Sequence, residues 1–215
     1  SLQLIGELLD QLLPHFASEF VSVGCDETFD IGWGRSREAC AERGTHGVYL
    51  DYLGGVLDLA REHDALVYID DAHGFGVLGE TPDEKMPWGY KGNGVVAHLG
   101  AGYENVIYVS GLSKAYSSLA AFVACPARVK RALKCNITSY IVSGPVPFAS
   151  LASALAGLEL NDAYGDAWRT TLRDYTTRII DAYRARGIRT DNDNGFPIVS
   201  AYVGSPEAVL RGGQL

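Results

Sequence analysis

Two short apolar runs, each followed by polar residues and separated by helical segments, constrain the fold of this 215-residue chain more than any other feature. The first run covers residues 65–70 and the second covers residues 105–110. Strands that alternate with helices are typical of α/β proteins with a mostly parallel sheet. We therefore expect an α/β fold in which helices flank a mostly parallel sheet.

The apolar periodicity of the remaining chain predicts the other elements. A helix that begins at residue 2 should end early, because Pro14 lies within its pattern. Two further short strands are expected, one over residues 20–25 and one in the apolar run 119–125, and the segment after Ile188 should also contain a strand. A polar excursion is expected between residue 79 and about residue 95. The other predicted helices cover residues 36–44, 48–63, 126–135, 145–160 and 164–186.

The first strand is followed by a glycine-rich turn that carries an acid and an imidazole, Asp70 and His73. Side chains alternate along a strand, so Asp70 and Asp71 should point in opposite directions. Asp70 and His73 can converge if the chain turns at once, which Gly74 and Gly76 allow. The alternative interpretation is that Asp70 caps the next helix and that His73 is a surface histidine.

The second strand is followed by a serine-rich turn that contains Lys114. Ser110 and Ser113 supply hydroxyl groups, and Gly111 allows the backbone to approach a ligand. Hydroxyls and backbone N–H groups in such a turn suit a phosphate, although a solvated surface turn is the alternative. An acid, an imidazole and a lysine at the ends of two strands are the groups that hold pyridoxal 5′-phosphate. We predict this cofactor, with Asp70, His73, Ser110, Ser113 and Lys114 as its ligands.

Residues 56–200 resemble the fold-type I pyridoxal-phosphate enzymes, and in particular the α-oxoamine synthase group. This group includes 8-amino-7-oxononanoate synthase, 2-amino-3-ketobutyrate ligase and serine palmitoyltransferase. The group's lysine turn matches residues 110–114, and its D-[DE]-A-H-x-x-G-x-x-G motif matches Asp70, Asp71, Ala72, His73, Gly76 and Gly79. The resemblance implies that Asp70 pairs with the pyridine nitrogen, that His73 meets the 3′-oxygen of the ring, and that Lys114 binds the cofactor covalently.

Three features depart from the pattern of that group. The residue three positions before the lysine is often a threonine that contacts phosphate, and here it is Gly111, so Ser110 or Ser113 would have to replace it. The connection from Asp70 to Lys114 is longer than usual, with residues 82–100 as the insertion. An upstream region with a residue that stacks on the ring is expected in the group and is not recognised here.

Residues 2–53 resemble a different family, the family 20 glycoside hydrolases, which are β-N-acetylhexosaminidases. In that family an Asp-Glu pair ends a barrel strand, and here it matches Asp26 and Glu27. The resemblance implies that Asp26 orients the 2-acetamido group of the sugar and that Glu27 is the general acid. A carboxylate pair that caps a turn is the alternative. We expect no glycosidase activity, because a barrel site needs loops from several strands.

Composition bears on whether the chain binds nucleic acid, membranes or metals and on its location in the cell. A net charge of −8 argues against binding to a nucleic-acid backbone. No apolar run is long enough to cross a bilayer, and we expect no membrane partner and a cytoplasmic location. The four cysteines form no zinc pattern and are expected to be reduced, and no metal site is predicted.

The sequence thus predicts a pyridoxal-phosphate-dependent transferase whose domain is part of a fold-type I large domain. The predicted division places a hexosaminidase-like segment at 1–55, the cofactor-binding domain at 56–187 and the start of a C-terminal segment at 188–215. The resemblance implies condensation of an amino acid with an acyl-CoA and loss of carbon dioxide, in a site that is incomplete here, and simple aminotransfer stays open. A hexosaminidase fragment and a non-catalytic chimeric protein are the alternatives. The group forms homodimers, and here we expect weak or non-specific association.

Overall fold

The computed structural model describes residues 2–15, 23, 25, 30–190, 192 and 195–212. The helices in this part of the chain are α1 Leu2–Leu12, α2 Arg37–Glu62, α3 Val95–His98, α4 Ala127–Asn136, α5 Thr138–Val142, α6 Phe148–Ala185 and α7 Pro206–Gly212. The strands are β1 Val67–Asp70, β2 Val106–Gly111 and β3 Ala121–Ala124. Short 3₁₀ turns lie at Leu13–His15 and Gly34–Ser36.

The three strands form one mixed sheet in the order β1-β2-β3. Strands β1 and β2 are parallel and place Asp70 opposite Val109, whereas β2 and β3 are antiparallel and place Gly111 opposite Ala121. The connection between β2 and β3 contains no crossover helix, so β3 returns beside β2 in the opposite direction. The predicted α/β class is confirmed, and the sheet is divided evenly between a parallel and an antiparallel pair.

Several helix boundaries agree with the sequence pattern. Helix α1 ends at Leu12, two residues before Pro14, and α4 begins directly after Pro126. Helix α2 covers nearly all of both helices predicted over 36–44 and 48–63, and Gly44, where the first was predicted to end, leaves the helical conformation with a φ of 74°. The break therefore falls at the predicted glycine.

Helix α6 differs from the prediction. It runs for 38 residues without a break, whereas the sequence predicted two helices over 145–160 and 164–186. No proline interrupts the joining residues, and Gly165 alone weakens a helix by only about 1 kcal/mol relative to alanine. The prediction of two helices was wrong because tertiary contacts, described below, hold the helix around Gly165.

The segment that was predicted to be polar, between residue 79 and about residue 95, is more buried in the structure than its sequence indicated. Residues 82–100 contribute Trp88, Val95 and Val96 to the main core, where they pack with Leu78, Val106 and Tyr108. A second, smaller cluster joins the end of β2 to α6 through Leu112, Tyr116 and Ala154. The excursion therefore covers the sheet and is not a solvated loop.

The C-terminal part carries no strand among residues 195–212, where the sequence predicted one around residues 196–199. The predicted strand over 20–25 lies almost entirely outside the described residues. Within the residues that the structure describes, none of the helices combines the length and the apolar character that crossing a bilayer requires.

Candidate functional site

The two polar turns leave the sheet at the same edge. Asp70 is the last residue of β1 and lies opposite Val109, and the lysine turn begins after Gly111 at the end of β2. Because β1 and β2 are parallel, both turns begin at the carboxyl ends of neighbouring strands. In open α/β sheets this edge is where ligands bind.

The two turns are in direct contact with each other. A Cβ built on Gly76 would collide with the Cβ of Ala115, the residue directly after Lys114. Gly76 also has a φ of 89°, which favours glycine. At the strand ends, a Cβ built on Gly111 would lie 4.0 Å from the Cβ of Ala72. The sequence therefore folds both predicted motifs into one contiguous surface.

Four of the five predicted ligands are exposed on this surface: Asp70, His73, Ser113 and Lys114. The Oδ1 of Asp70 accepts a hydrogen bond of 3.0 Å from the backbone N–H of Ala72. Asp70 thus caps the turn that follows it and does not cap a helix. The structure therefore leaves a carboxylate, an imidazole, a hydroxyl and an amine exposed on the two turns.

Ser110 lies in a different environment. It is fully buried, and its hydroxyl donates to the carbonyl oxygen of Gly111 at 3.3 Å. Alternation along β2 explains this, because Val106, Tyr108 and Ser110 all point to the buried face. Of the two predicted serines, Ser113 is the one that faces solvent.

Asp71 is buried, in contrast to its neighbour Asp70. Its Oδ2 accepts hydrogen bonds from the hydroxyl of Tyr108 at 2.5 Å and from the backbone N–H of Val95 at 2.7 Å. Burial raises the pKa of Asp71, and the hydrogen bonds from Tyr108 and Val95 oppose this rise. Burial and the bond to Asp71 also raise the pKa of Tyr108. Asp71 thus joins β2 to α3 beneath the candidate site.

Sequence reasoning missed a polar cluster on α6 that supports the turn after Asp70. Arg169 is 4% exposed and hydrogen-bonds Asn161, Asp166 and the carbonyl oxygen of Gly76. The spacing of Asn161, Asp166 and Arg169 resembles that of an ordinary helix surface. No signal in the sequence shows that the cluster packs against a loop 70 or more residues away.

The structure bears differently on the predicted carboxylate pair and on the four cysteines. Asp26 and Glu27 lie outside the described residues, so the hexosaminidase interpretation stays a hypothesis. The structure joins none of the four cysteines, Cys25, Cys40, Cys125 and Cys135, in a disulfide within the part of the chain that it describes.

Comparisons with known proteins identify the family to which the chain is similar. The profile of the aminotransferase class I and II family matches residues 50–209. An 8-amino-7-oxononanoate synthase from Pelobacter propionicus is 35% identical over 159 residues, which are 74% of this chain and 38% of that protein. The chain therefore spans well under half the length of this relative.

Solved structures share the fold. A serine palmitoyltransferase from S. paucimobilis with a bound PLP–myriocin aldimine superposes with a TM-score of 0.62 at 21% identity, covering 75% of this chain and 41% of that one. The 8-amino-7-oxononanoate synthase from Francisella tularensis gives a TM-score of 0.55 at 25% identity, covering 67% and 40%. The fold is thus part of the large domain of fold-type I pyridoxal-phosphate enzymes. The chain belongs to the aminotransferase class I and II family.

Proposed function

We propose that this chain carries the cofactor-binding part of a pyridoxal-phosphate-dependent transferase of the α-oxoamine synthase type. The observation that supports the proposal best is the contact between the turn with Asp70 and His73 and the turn with Lys114, at the carboxyl ends of two parallel strands. The family match over residues 50–209 and the similarity to an 8-amino-7-oxononanoate synthase support the same class of enzyme.

The residues at this edge fit the cofactor. Apart from its chain neighbours, the described atom nearest to a Cβ built on Gly111 is the Oγ of Ser113 at 3.9 Å, so the strand end leaves room beside a hydroxyl. Asp70 presents an acid and Lys114 an amine on the same surface. Bound there, pyridoxal phosphate would act as an electron sink for the negative charge that develops on the amino-acid substrate.

Each residue has a distinct proposed role. Asp70 would pair with the pyridine nitrogen and keep it protonated, and His73 would orient the ring at its 3′-oxygen. Lys114 would hold the aldehyde carbon covalently until the amino acid displaces it, and its freed amine would then move the proton at Cα of the amino acid. Ser113 binds the phosphate, because Ser110 is fully buried. Ser110 instead ties the end of β2 to its own backbone.

The proposed reaction transfers the acyl group of an acyl-CoA to an amino acid and releases carbon dioxide and free CoA. Simple aminotransfer is the alternative within the same family. Release of free CoA thiol that depends on added amino acid would distinguish condensation from aminotransfer, in which the amino acid is converted to an oxo acid and CoA is not released.

We also propose that residues 56–187 are the cofactor-binding unit, that the protein is cytoplasmic and that the chain associates weakly. Helix α6 exposes large apolar side chains, among which Phe148 is 92% exposed, and α1, β1, β3 and α5 expose others. Apolar contacts between copies would therefore use several surfaces and not one. Light scattering over a concentration series should show a broad distribution of sizes, and a sharp stable dimer would contradict this.

Covalent labelling tests the cofactor proposal. Incubation with pyridoxal phosphate, borohydride reduction and peptide mapping should place a pyridoxyl adduct on Lys114. Lys114→Ala should lose the adduct, and Lys130→Ala, which removes an exposed lysine on α4, should keep it. An adduct spread over surface lysines and unaffected by Lys114→Ala would contradict the proposal.

A further inference from the structure

Gly76 is the point at which three parts of the candidate site meet. Its backbone N–H donates to the carbonyl oxygen of Gly92 at 2.8 Å, and its α-carbon lies against Ala115, next to Lys114. Its own carbonyl oxygen accepts a hydrogen bond of 3.0 Å from Nη1 of Arg169. The position of Gly76 therefore sets how the turn with His73 lies against the turn with Lys114.

Arg169 is held in place from several directions. Its Nη1 also donates to Oδ1 of Asn161 at 2.7 Å, and its Nη2 forms an ion pair of 2.6 Å with Oδ1 of Asp166. Partial burial disfavours the charged form of Asp166, but hydrogen bonds from Arg169 and Lys91 outweigh burial and hold its pKa below the ordinary value. The guanidinium is thus a fixed, charged group beneath the turn.

The same face of α6 also binds the backbone of the loop at Lys91. The backbone N–H of Lys91 donates to Oδ1 of Asp166 at 2.9 Å, and its carbonyl oxygen accepts from Nδ2 of Asn161 at 2.9 Å. Lys91 precedes Gly92, whose carbonyl oxygen receives the N–H of Gly76. Asn161, Asp166 and Arg169 therefore act on Gly76 both directly and through the loop.

Burial of the Arg169 guanidinium beneath the turn has an unfavourable desolvation free energy. Arg169 is buried although its ion-pair partner Asp166 is half exposed. Removing a charge from water is so costly that apolar residues of similar volume often give equal or greater stability than a buried ion pair. The Nε of Arg169 is buried and has no hydrogen-bond partner among the described residues, which adds to the cost. What arginine supplies and an apolar residue does not is a planar group that directs donors in fixed directions.

We propose that Arg169 is a positioning residue for the pyridoxal-phosphate site: through the Gly76 carbonyl it fixes the turn of His73 relative to the turn of Lys114. This inference rests on the proposed function. Arg169 acts through Gly76 and does not itself touch the cofactor.

Two substitutions and one control test the inference on the full chain. Arg169→Met removes the charge and the donors at similar volume, and Arg169→Lys keeps the charge but loses the planar geometry. Arg173→Met is the matched control, because Arg173 lies one turn further along α6 and donates to the carbonyl oxygen of Lys85, away from both turns. Arg169→Lys decides the question if Arg169→Met does not fold.

The first measurement needs no cofactor. Amide hydrogen exchange at Gly76 and Val77, whose N–H groups bond to Gly92 and Gly74, should accelerate about tenfold in Arg169→Met and less in Arg169→Lys. Exchange in β2 should stay unchanged, and in Arg173→Met exchange at Gly76 and Val77 should stay unchanged as well. An equal acceleration in β2 would show a merely structural role and overturn the inference.

The second measurement follows pyridoxal phosphate by absorbance. The Kd should rise about tenfold in Arg169→Met, and the pH midpoint of the bound cofactor's spectrum should shift, because that midpoint depends on the groups around the ring. An unchanged Kd, midpoint and exchange rate in both Arg169 variants would overturn the inference. If the unsubstituted chain binds no cofactor, the proposed function fails, and hydrogen exchange still decides whether Arg169 fixes the turn.

Discussion

The hydroxyl of Tyr108 lies 2.5 Å from Oδ2 of Asp71, and this short hydrogen bond joins the core of β2 to the first residue of the candidate site turn. The same carboxylate oxygen accepts the N–H of Val95, so one buried acid connects the sheet, the turn and α3. Asp70, its neighbour, is exposed at the end of β1. Two adjacent acids therefore have separate tasks, one in stability and one in the proposed chemistry.

The first prediction separates these tasks by alanine substitution. Asp71→Ala should lower the free energy of unfolding by about 2–4 kcal/mol, because the buried Tyr108 hydroxyl and Val95 N–H lose their acceptor. Asp70→Ala should lower it by less than about 1 kcal/mol, since its carboxylate is exposed and accepts one turn hydrogen bond. Urea denaturation of both variants checks this, and equal losses would show that the environments of the two acids are alike.

The second prediction concerns pH. Burial raises the pKa of Asp71 in the folded state above its ordinary value. The native state then binds more protons than the unfolded state between the two pKa values, so stability falls as pH rises through that range. The contribution of Asp71 is fully present below its ordinary pKa of about 4 and is lost as pH rises through the native pKa.

Asp71→Asn is the reference for that measurement, because asparagine does not titrate and can still accept a hydrogen bond. The free energy of unfolding of the unsubstituted chain minus that of Asp71→Asn should decrease from about pH 4 toward neutral pH. All other groups titrate in both chains, so the difference isolates Asp71. Denaturation at a series of pH values checks this, and a difference that grows with pH would mean that the native pKa is lowered.

The parts of the site that depend on local pattern could be predicted from the sequence. The apolar run before Asp70 and the run before Lys114 form β1 and β2, and the alternation along a strand separates Asp70 from Asp71 as expected. Glycine at residue 44 breaks α2 where its conformational freedom predicts. These features need only the nearest neighbours along the chain.

The parts that depend on distant contacts could not be predicted. Tyr108 meets Asp71 because of the register between β1 and β2, which a single strand does not reveal. Residues 82–100 have a polar average, yet Trp88, Val95 and Val96 turn inward to cover the sheet. Arg169 has the spacing of a surface residue and becomes buried only because the loop around Gly76 packs on α6.

The third prediction addresses Gly111, where the α-oxoamine synthase group often has threonine. Among the described residues, a Cβ at this position would meet only Ser113 Oγ at 3.9 Å and Ala72 Cβ at 4.0 Å, which are ordinary contacts. Gly111→Thr should therefore fold normally and bind pyridoxal phosphate about tenfold more tightly, because its hydroxyl adds a hydrogen bond to a charged phosphate.

Gly111→Val is the matched control for this substitution, since valine has the shape of threonine without the hydroxyl. It should leave the Kd for pyridoxal phosphate unchanged, and both variants should keep or slightly raise the free energy of unfolding, because β-branched residues suit strands. Absorbance titration and urea denaturation measure these effects. Equal tightening by valine would assign the effect to the strand and not to a phosphate contact.

The fourth prediction compares two glycines within helices. Replacing glycine by alanine in a helix normally stabilises it by about 0.5–1 kcal/mol. Apart from its chain neighbours and the backbone of its own helix, a methyl group added at Gly54 in α2 would meet no atom of the described residues within 4 Å, so Gly54→Ala should give this gain. A Cβ on Gly165 in α6 would collide with Oδ1 of Asn161 and would lie 2.8 Å from Nη2 of Arg169.

Gly165→Ala should therefore displace the Arg169 guanidinium and its hydrogen bond to Gly76. We expect the free energy of unfolding to fall by about 1–2 kcal/mol, because overpacking and the loss of a charged hydrogen bond exceed the gain in helix propensity. Binding of pyridoxal phosphate should weaken in Gly165→Ala and stay unchanged in Gly54→Ala. Urea denaturation and absorbance titration of the two variants measure both effects. If Gly165→Ala raised the free energy of unfolding as much as Gly54→Ala does, the Asn161 and Arg169 side chains would be able to move aside at no cost. They would then not fix the turn.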